Sequence, residues 1–137
     1  MWWIYALLSA FFASLTAIFA KVGVKHVDSD LATAIRTVVI IILAWSIVFF
    51  KGVAPGIQNL TRQNWLFLIL SGCATGLSWL FYFKALQVGE VSKVAPIDKL
   101  SVALTIILSV IFLKESVTLK DAFGALLIIT GALVLIL

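Results

Sequence analysis

Residues 31–50 read LATAIRTVVIIILAWSIVFF, an apolar run interrupted by one charged residue, Arg36. An α-helix rises about 1.5 Å per residue, so roughly 20 residues cross the ~30 Å hydrocarbon core of a bilayer. Backbone polar groups in lipid must be satisfied within the segment itself, which favours a helix over a strand. The run therefore predicts a transmembrane helix.

Comparable apolar runs occupy most of the remaining chain, and 64% of all residues are apolar while 12% are charged. With a mean hydropathy of +1.22, lipid must be the solvent. The first run lacks the basic n-region of a signal peptide, so we expect it to be retained. The sequence predicts an all-α membrane protein with five transmembrane helices in one domain, residues 1–137, the helices lying at about 2–24, 31–50, 65–86, 93–113 and 119–137.

The charged and reactive residues are scattered singly. Basic residues lie alone near the predicted helix ends, which is typical of membrane flanks and does not indicate a nucleic-acid partner. Cys73 and His26 have no neighbouring ligand residues for a metal or a disulfide. Because no nucleophile–base pair or phosphate loop is present either, we expect no enzyme activity and no cofactor.

The lysine and arginine residues that flank the predicted spans are evenly divided between the two membrane faces, while Arg36 and Lys99 lie further in, toward the face opposite Met1. Four flank the spans on the face of Met1 and four on the other, namely Lys51, Arg62, Lys114 and Lys120 against Lys21, Lys25, Lys84 and Lys93. The positive-inside rule then gives no orientation. Features that the rule ignores could still decide it, or the chain inserts both ways. Two copies packed antiparallel would reproduce the inverted repeats of many transporters, and we predict such a dual-topology homodimer.

A few ionisable residues lie inside the predicted spans, where each costs roughly 2.5–3.5 kcal/mol at the helix centre. Lys21 and Lys84 are near helix ends, where snorkelling to the interface is the simplest reading. Arg36 lies roughly 9 Å into the second span. An Arg36–Asp98 ion pair would be a structural explanation. The functional one is that Arg36, Asp98, Lys99 and Lys84 line one solute cavity.

The depth of Asp98 and Lys99 depends on where the fourth helix begins. If Ala95 is the N-cap and Pro96 occupies the first turn, both charges lie near the surface. If Ser92 is the N-cap, they lie deeper, and Pro96 removes an early backbone hydrogen bond. Pro96 would then act as a hinge.

Small polar side chains share faces of the first and third spans. They are Ser9, Thr16, Ser71, Thr75 and Ser78. Such faces serve close helix packing or line a wet pathway, and both readings stay open here. Trp79 and Tyr82 lie deep and carry one polar atom each, so they are candidate solute contacts. Gly124 and Gly131, seven residues apart on the last helix, are predicted to pack in a subunit interface.

The embedded charges are net positive, which favours an anionic or zwitterionic solute. The first span carries no Asp or Glu. Small multidrug exporters that trade protons for organic cations depend on such a carboxylate, so that kind of exchange is not indicated.

Three segments of the second half, residues 81–86 (FYFKAL), 94–97 (VAPI) and 112–115 (FLKE), together with Gly124 and Gly131, resemble the EamA domain of the drug/metabolite transporter superfamily. Most members carry two such domains in inverted orientation, so this chain resembles one half of an inverted-repeat transporter. The resemblance implies a cavity built from helices one, three and four of each half. It maps Pro96 to the fourth-helix proline and Glu115 to a loop acid, which we interpret as structural. Asp98 and Lys99 lie outside the general pattern and are candidates for substrate specificity.

These observations predict a secondary transporter of a small, amino-acid-like anionic or zwitterionic metabolite. It would work by alternating access as an antiparallel homodimer in the prokaryotic plasma (inner) membrane. Two alternatives remain: a subunit of a lipid-linked sugar flippase, which needs a different partner chain, and a non-transporting membrane accessory protein.

Overall fold

The computed structural model describes residues 1–136, and this part of the chain is all-helical, as predicted. The α-helices are α1 (Trp2–Gly23), α2 (Ser29–Phe50), α3 (Arg62–Val88), α4 (Val91–Asp98), α5 (Leu100–Leu108) and α6 (Leu119–Ile136). A 3₁₀-helical segment, Ala54–Asn59, joins α2 to α3, and a π-helical turn, Ser109–Leu113, extends α5. The last residue of the fifth predicted span, Leu137, lies outside the described residues.

Within residues 1–136, four helical stretches are long and apolar enough to cross a bilayer. They are Trp2–Gly23, Ser29–Phe50, Arg62–Val88 and Val91–Leu113. Most of their apolar side chains are exposed, for example Phe81 at 73%. Exposure of this kind is favourable where lipid is the solvent, because no apolar surface then faces water. The chain is a multi-pass membrane protein, and α6 as a fifth span stays a prediction.

Both ends of α2 are set by local sequence. The Asp28 carboxylate accepts hydrogen bonds from the backbone N–H groups of Asp30 (2.9 Å) and Leu31 (3.1 Å) and so caps the helix N-terminus. At the other end Gly52 has a φ of +67°, its N–H bonds Phe49 O, and the next N–H bonds Val48 O. This is a Schellman motif, in which glycine supplies the left-handed residue.

A threonine hydroxyl caps the start of α3 and the start of α6. At α3 the cap hydroxyl belongs to Thr61, which accepts from the Asn64 N–H at 3.2 Å. α3 therefore begins at Arg62, three residues earlier than predicted. At α6 the two residues form a capping box: Thr118 N–H donates to the Asp121 carboxylate (2.9 Å), and the Asp121 N–H donates to the Thr118 hydroxyl (3.3 Å).

The fourth predicted helix begins at Val91, with Glu90 at the N-cap position, so neither Ala95 nor Ser92 caps it. Pro96 therefore lies inside α4, where its missing N–H removes one intrahelical bond. The helix breaks at Lys99, whose N–H turns back to the Pro96 carbonyl at 3.1 Å. A second irregularity follows at the π-helical turn, which ends on Lys114 in the left-handed region (φ 55°).

The chain divides into two compact units, each described here by itself. One comprises residues 1–19 and the segment from residue 88 onward; in it α4 and α5 pack against α6, and Ala132 is buried. The other comprises residues 20–87, and its buried side chains concentrate where α1 ends, α2 begins and α3 ends. These are Ala20, Val24, Ser29, Thr33, Phe83 and Leu86.

Candidate functional site

Arg36 is positioned by the first two turns of α2. The Asp28 cap fixes where the helix begins, and Arg36 follows about 12 Å further along the axis. Its side chain is partly buried, so it does not simply extend into solvent.

Two aromatic rings of α3 contact the guanidinium. Its central carbon lies 3.3 Å from the centroid of the Trp79 ring and 5.1 Å from that of Phe83. Trp79 and Phe83 are four residues apart and so share one face of α3. Phe83 is only 2% exposed. A guanidinium over an indole face is attracted by the ring quadrupole, and this cation–π contact is worth about 2 kcal/mol when desolvated.

The cation–π contact leaves part of the hydrogen-bonding capacity of Arg36 unused. Atom Nη1 is buried and has no hydrogen-bond partner among the described residues. An unmet buried donor costs about 1–3 kcal/mol, and more when the group is charged. The aromatic rings stabilise the charge but accept no conventional hydrogen bond. The rings therefore hold the cation while Nη1 lacks a hydrogen-bond acceptor among the described residues.

The other residues predicted beside Arg36 have different settings. Tyr82 is partly buried on α3. Lys84 is exposed on the same helix. The ion pair that Asp98 makes is with its neighbour Lys99, at 3.2 Å. Asp98 and Lys99 belong to the other compact unit, so a cavity shared with Arg36 stays a prediction.

Lys99 also borders an open groove between α4 and α6 of about 380 Å³. The remaining lining is apolar and includes Pro96, Leu127 and Gly131. A methyl group added at Gly131 would meet no described atom of another residue within 4 Å, apart from the backbone of its own helix, and the same holds at Gly124. Neither glycine packs tightly inside this chain, so the interface role predicted for them remains available.

The predicted pathway residues are mostly exposed, and some have hydroxyls already engaged. Thr16 donates to Phe12 O at 2.9 Å, and Thr75 donates to Ser71 O at 2.9 Å. Ser9, Ser71 and Ser78 are exposed on their helices. Bonds of this kind satisfy the hydroxyl within the helix and are compatible with either reading of these faces.

Three contacts near the end of α3 were not anticipated. Lys21, expected to snorkel, donates its ammonium to Leu86 O at 2.6 Å. The Gln87 amide donates to Val27 O at 2.9 Å. Phe83 was not proposed beside Arg36, although its spacing from Trp79 was the signal for a shared face. Lys21 and Gln87 tie the end of α1 and the following loop to α3, near the stacked arginine.

Within residues 1–136 no group of three or more His, Cys, Asp and Glu side chains could hold a metal ion. The functional chemistry available is that of a cation held by aromatic rings among apolar helices. Helices of this length and composition place the chain among multi-pass membrane proteins.

Comparison with known proteins identifies the family. The model of the EamA-like transporter family matches residues 1–137, the whole chain. The chain therefore belongs to the EamA-like transporter family, as its sequence segments indicated, and its size fits a half-size member. Membership points to transport rather than to enzyme activity.

Two relatives cover nearly the full chain. A protein of Sinorhizobium sp. named "Uncharacterized transporter in cobO 3'region" is 50% identical over 134 residues, covering 98% of this chain and 95% of that protein. An uncharacterized protein of Methanocaldococcus jannaschii is 30% identical over 132 residues, covering 96% of this chain and 93% of that protein. No solved structure matches the chain.

Proposed function

We propose that the protein is a secondary transporter of a small anionic or zwitterionic, amino-acid-like metabolite in the prokaryotic plasma membrane. The observation that carries the proposal is the buried Nη1 of Arg36, which lacks a hydrogen-bond partner among the described residues although it belongs to a charged group. A charge within a membrane span is costly and is retained where it serves a function. An anionic group on the solute would supply the missing acceptor.

Alternating access is proposed on the irregular backbone of the fourth span. Pro96, the break at Lys99 and the π-helical turn interrupt regular hydrogen bonding at three places in Val91–Leu113. Such interruptions are where helices bend. We propose Pro96 as the hinge, with Asp98 and Lys99 next to it as a charged pair that meets the polar ends of the solute.

An antiparallel homodimer would complete the transporter. A single chain of this size resembles half of an inverted-repeat architecture, and the even split of basic residues favours insertion both ways. Gly124 and Gly131 on α6 leave room for a second helix. In this proposal the two copies enclose a pathway that Ser9, Thr16, Ser71, Thr75 and Ser78 help to line.

Solute binding is tested with the two arginines of the chain, Arg36 and Arg62. The purified protein is screened by thermal shift against amino acids, organic acids and sugar phosphates, and hits are tested for counterflow in liposomes. Arg36→Met should lose both the shift and the counterflow, while Arg62→Met, at the exposed start of α3, should keep them. Equal binding by wild type and Arg36→Met would contradict the proposal.

Topology is tested with a reporter fused to the C-terminus. Dual topology requires that the reporter is detected on both sides of the membrane when the protein is the only family member in the cell. Detection on one side only would contradict the antiparallel homodimer. Co-purification with a different small membrane protein would instead favour a flippase-type heteromer.

A further inference from the structure

The ring of Trp79 lies against the guanidinium of Arg36, which gives Trp79 a role other than contact with the solute. We infer that Trp79 is a positioning residue, which holds the Arg36 guanidinium in a closed resting position from which a bound oxyanion withdraws it. The inference rests on the proposed function and narrows its solute to a molecule that carries a carboxylate or another oxyanion. The sequence makes Trp79 a candidate solute contact, and this inference replaces that role.

The guanidinium of Arg36 and the indole ring of Trp79 lie too close together to admit a solute. At 3.3 Å from the ring centroid to the central guanidinium carbon, Arg36 and Trp79 are in van der Waals contact. No solute atom fits between them. While this contact persists, the indole face that Arg36 covers is closed to the solute.

Atom Nη1 of Arg36 is buried and lacks an acceptor within the described residues. It has essentially no exposed surface and no hydrogen-bond partner in the described part of the chain. A carboxylate or phosphate oxygen would form a short, charge-assisted hydrogen bond there, which is stronger than the bond to a neutral acceptor. Because Nη1 is covered, the oxyanion reaches it only when the guanidinium moves from its resting position.

Arg36 moves when the stack opens, while the aromatic face of α3 stays in place. Phe83, on the same face of α3 as Trp79, is buried and thus fixed by its surroundings. The arginine has a long flexible stem, and its planar fork suits a carboxylate or phosphate. Rotation of Arg36 about its side-chain bonds opens the stack without displacing α3. Trp79 therefore sets the resting position and reports on its loss.

The experiment uses Trp79 as the single tryptophan of the full chain. Trp2, Trp3, Trp45 and Trp65 are replaced by Phe, and emission is recorded in detergent with sodium acetate or sodium phosphate as probes and sodium chloride at matched ionic strength as reference. The oxyanions should move the emission spectrum toward that of the same protein carrying Arg36→Met, in which no guanidinium covers the indole. They should also increase quenching by acrylamide, because the indole is uncovered.

Several results would overturn the inference. These are no response to either oxyanion, an equal response to chloride, or an equal response in the Arg36→Met protein. Should Arg36→Met fail to fold, the acrylamide measurement on the Arg36 protein decides alone: unchanged quenching overturns the inference. Arg36→Lys keeps the charge without the planar fork and should respond more weakly.

The inference and the proposed function fail separately. An Arg36-dependent emission change without solute movement in liposomes contradicts transport and leaves the positioning role standing. Arg36-dependent transport of an oxyanion solute without any emission change contradicts the positioning role of Trp79 and leaves transport standing.

Discussion

The ammonium of Lys21, near the end of α1, donates a hydrogen bond of 2.6 Å to the backbone carbonyl of Leu86, near the end of α3. The last carbonyls of a helix have no partner within it, and a cation there also complements the negative end of the helix dipole. Leu86 is fully buried, so water does not substitute easily for the lysine.

Lys21→Met should therefore destabilise the protein. Hydrogen bonds to charged groups contribute about 1.5–3 kcal/mol, and methionine preserves the apolar stem while removing the donor. The measurement is thermal or denaturant unfolding in detergent. Lys25→Met is the matched control, because Lys25 is exposed in the next loop and should change stability little. Equal effects of the two substitutions would show that the bond to Leu86 O is unimportant.

The positions of the spans were predictable because a long apolar run in lipid can satisfy its backbone hydrogen bonds in few structures other than a helix. Trp2–Gly23 and Ser29–Phe50 match the predicted spans to within two residues at each end. Pro96 marked the fourth span as a place where the helix could bend, but the sequence did not give the exact position of the break at Lys99, three residues later. The π-helical turn was not anticipated, because no residue in Ser109–Leu113 carries a comparable local signal.

The sequence indicated which residues belong to the candidate site, but it did not indicate which of them contact one another. Arg36 stood out because a charge in a span needs a reason, and Trp79 because a deep indole has a polar atom. Which of them meet depends on the rotation of α2 against α3, which helical periodicity alone does not determine. The stack of Arg36 on Trp79 is therefore a finding of the structure.

Lys114→Gly should stabilise the protein. Lys114 has a φ of 55° and is the non-glycine residue with positive φ in the described chain. The left-handed conformation costs an L-residue about 1–2 kcal/mol, and glycine adopts it without that cost. We expect a gain of about 1 kcal/mol in the free energy of unfolding.

Gly52→Ala is the opposite control for Lys114→Gly. Gly52 has a φ of +67° and no other described residue within 4 Å of an added methyl group, so only backbone strain changes. It should lower stability by about 1 kcal/mol. If Lys114→Gly is neutral while Gly52→Ala destabilises, the left-handed turn before α6 is not strained.

The Arg36–Trp79 contact predicts a measurable coupling free energy. In a double-mutant cycle of Arg36→Met and Trp79→Leu, the effects on unfolding should be non-additive by about 1–2 kcal/mol, since each single variant removes the same cation–π contact. Trp45→Leu combined with Arg36→Met is the matched control. Trp45 stacks on Phe49 further along α2 and should be additive with Arg36. Additivity in both cycles would contradict the contact.

Gly131→Leu should separate folding from assembly. A methyl group added at Gly131 would meet no described atom of another element within 4 Å, and the residue borders an open groove, so we expect one chain to accommodate a larger side chain. A second copy packed on α6 would not, because leucine keeps the two backbones apart. We expect unchanged unfolding of the individual chain but loss of dimer, measured by cross-linking in membranes and light scattering in detergent.

Gly72→Leu on α3, whose added methyl group likewise meets no described atom, is the control and should leave the dimer intact. A Gly131→Leu protein that dimerises as the wild type does would place the partner on another helix, and loss of dimer in both variants would point to a non-specific effect of added bulk.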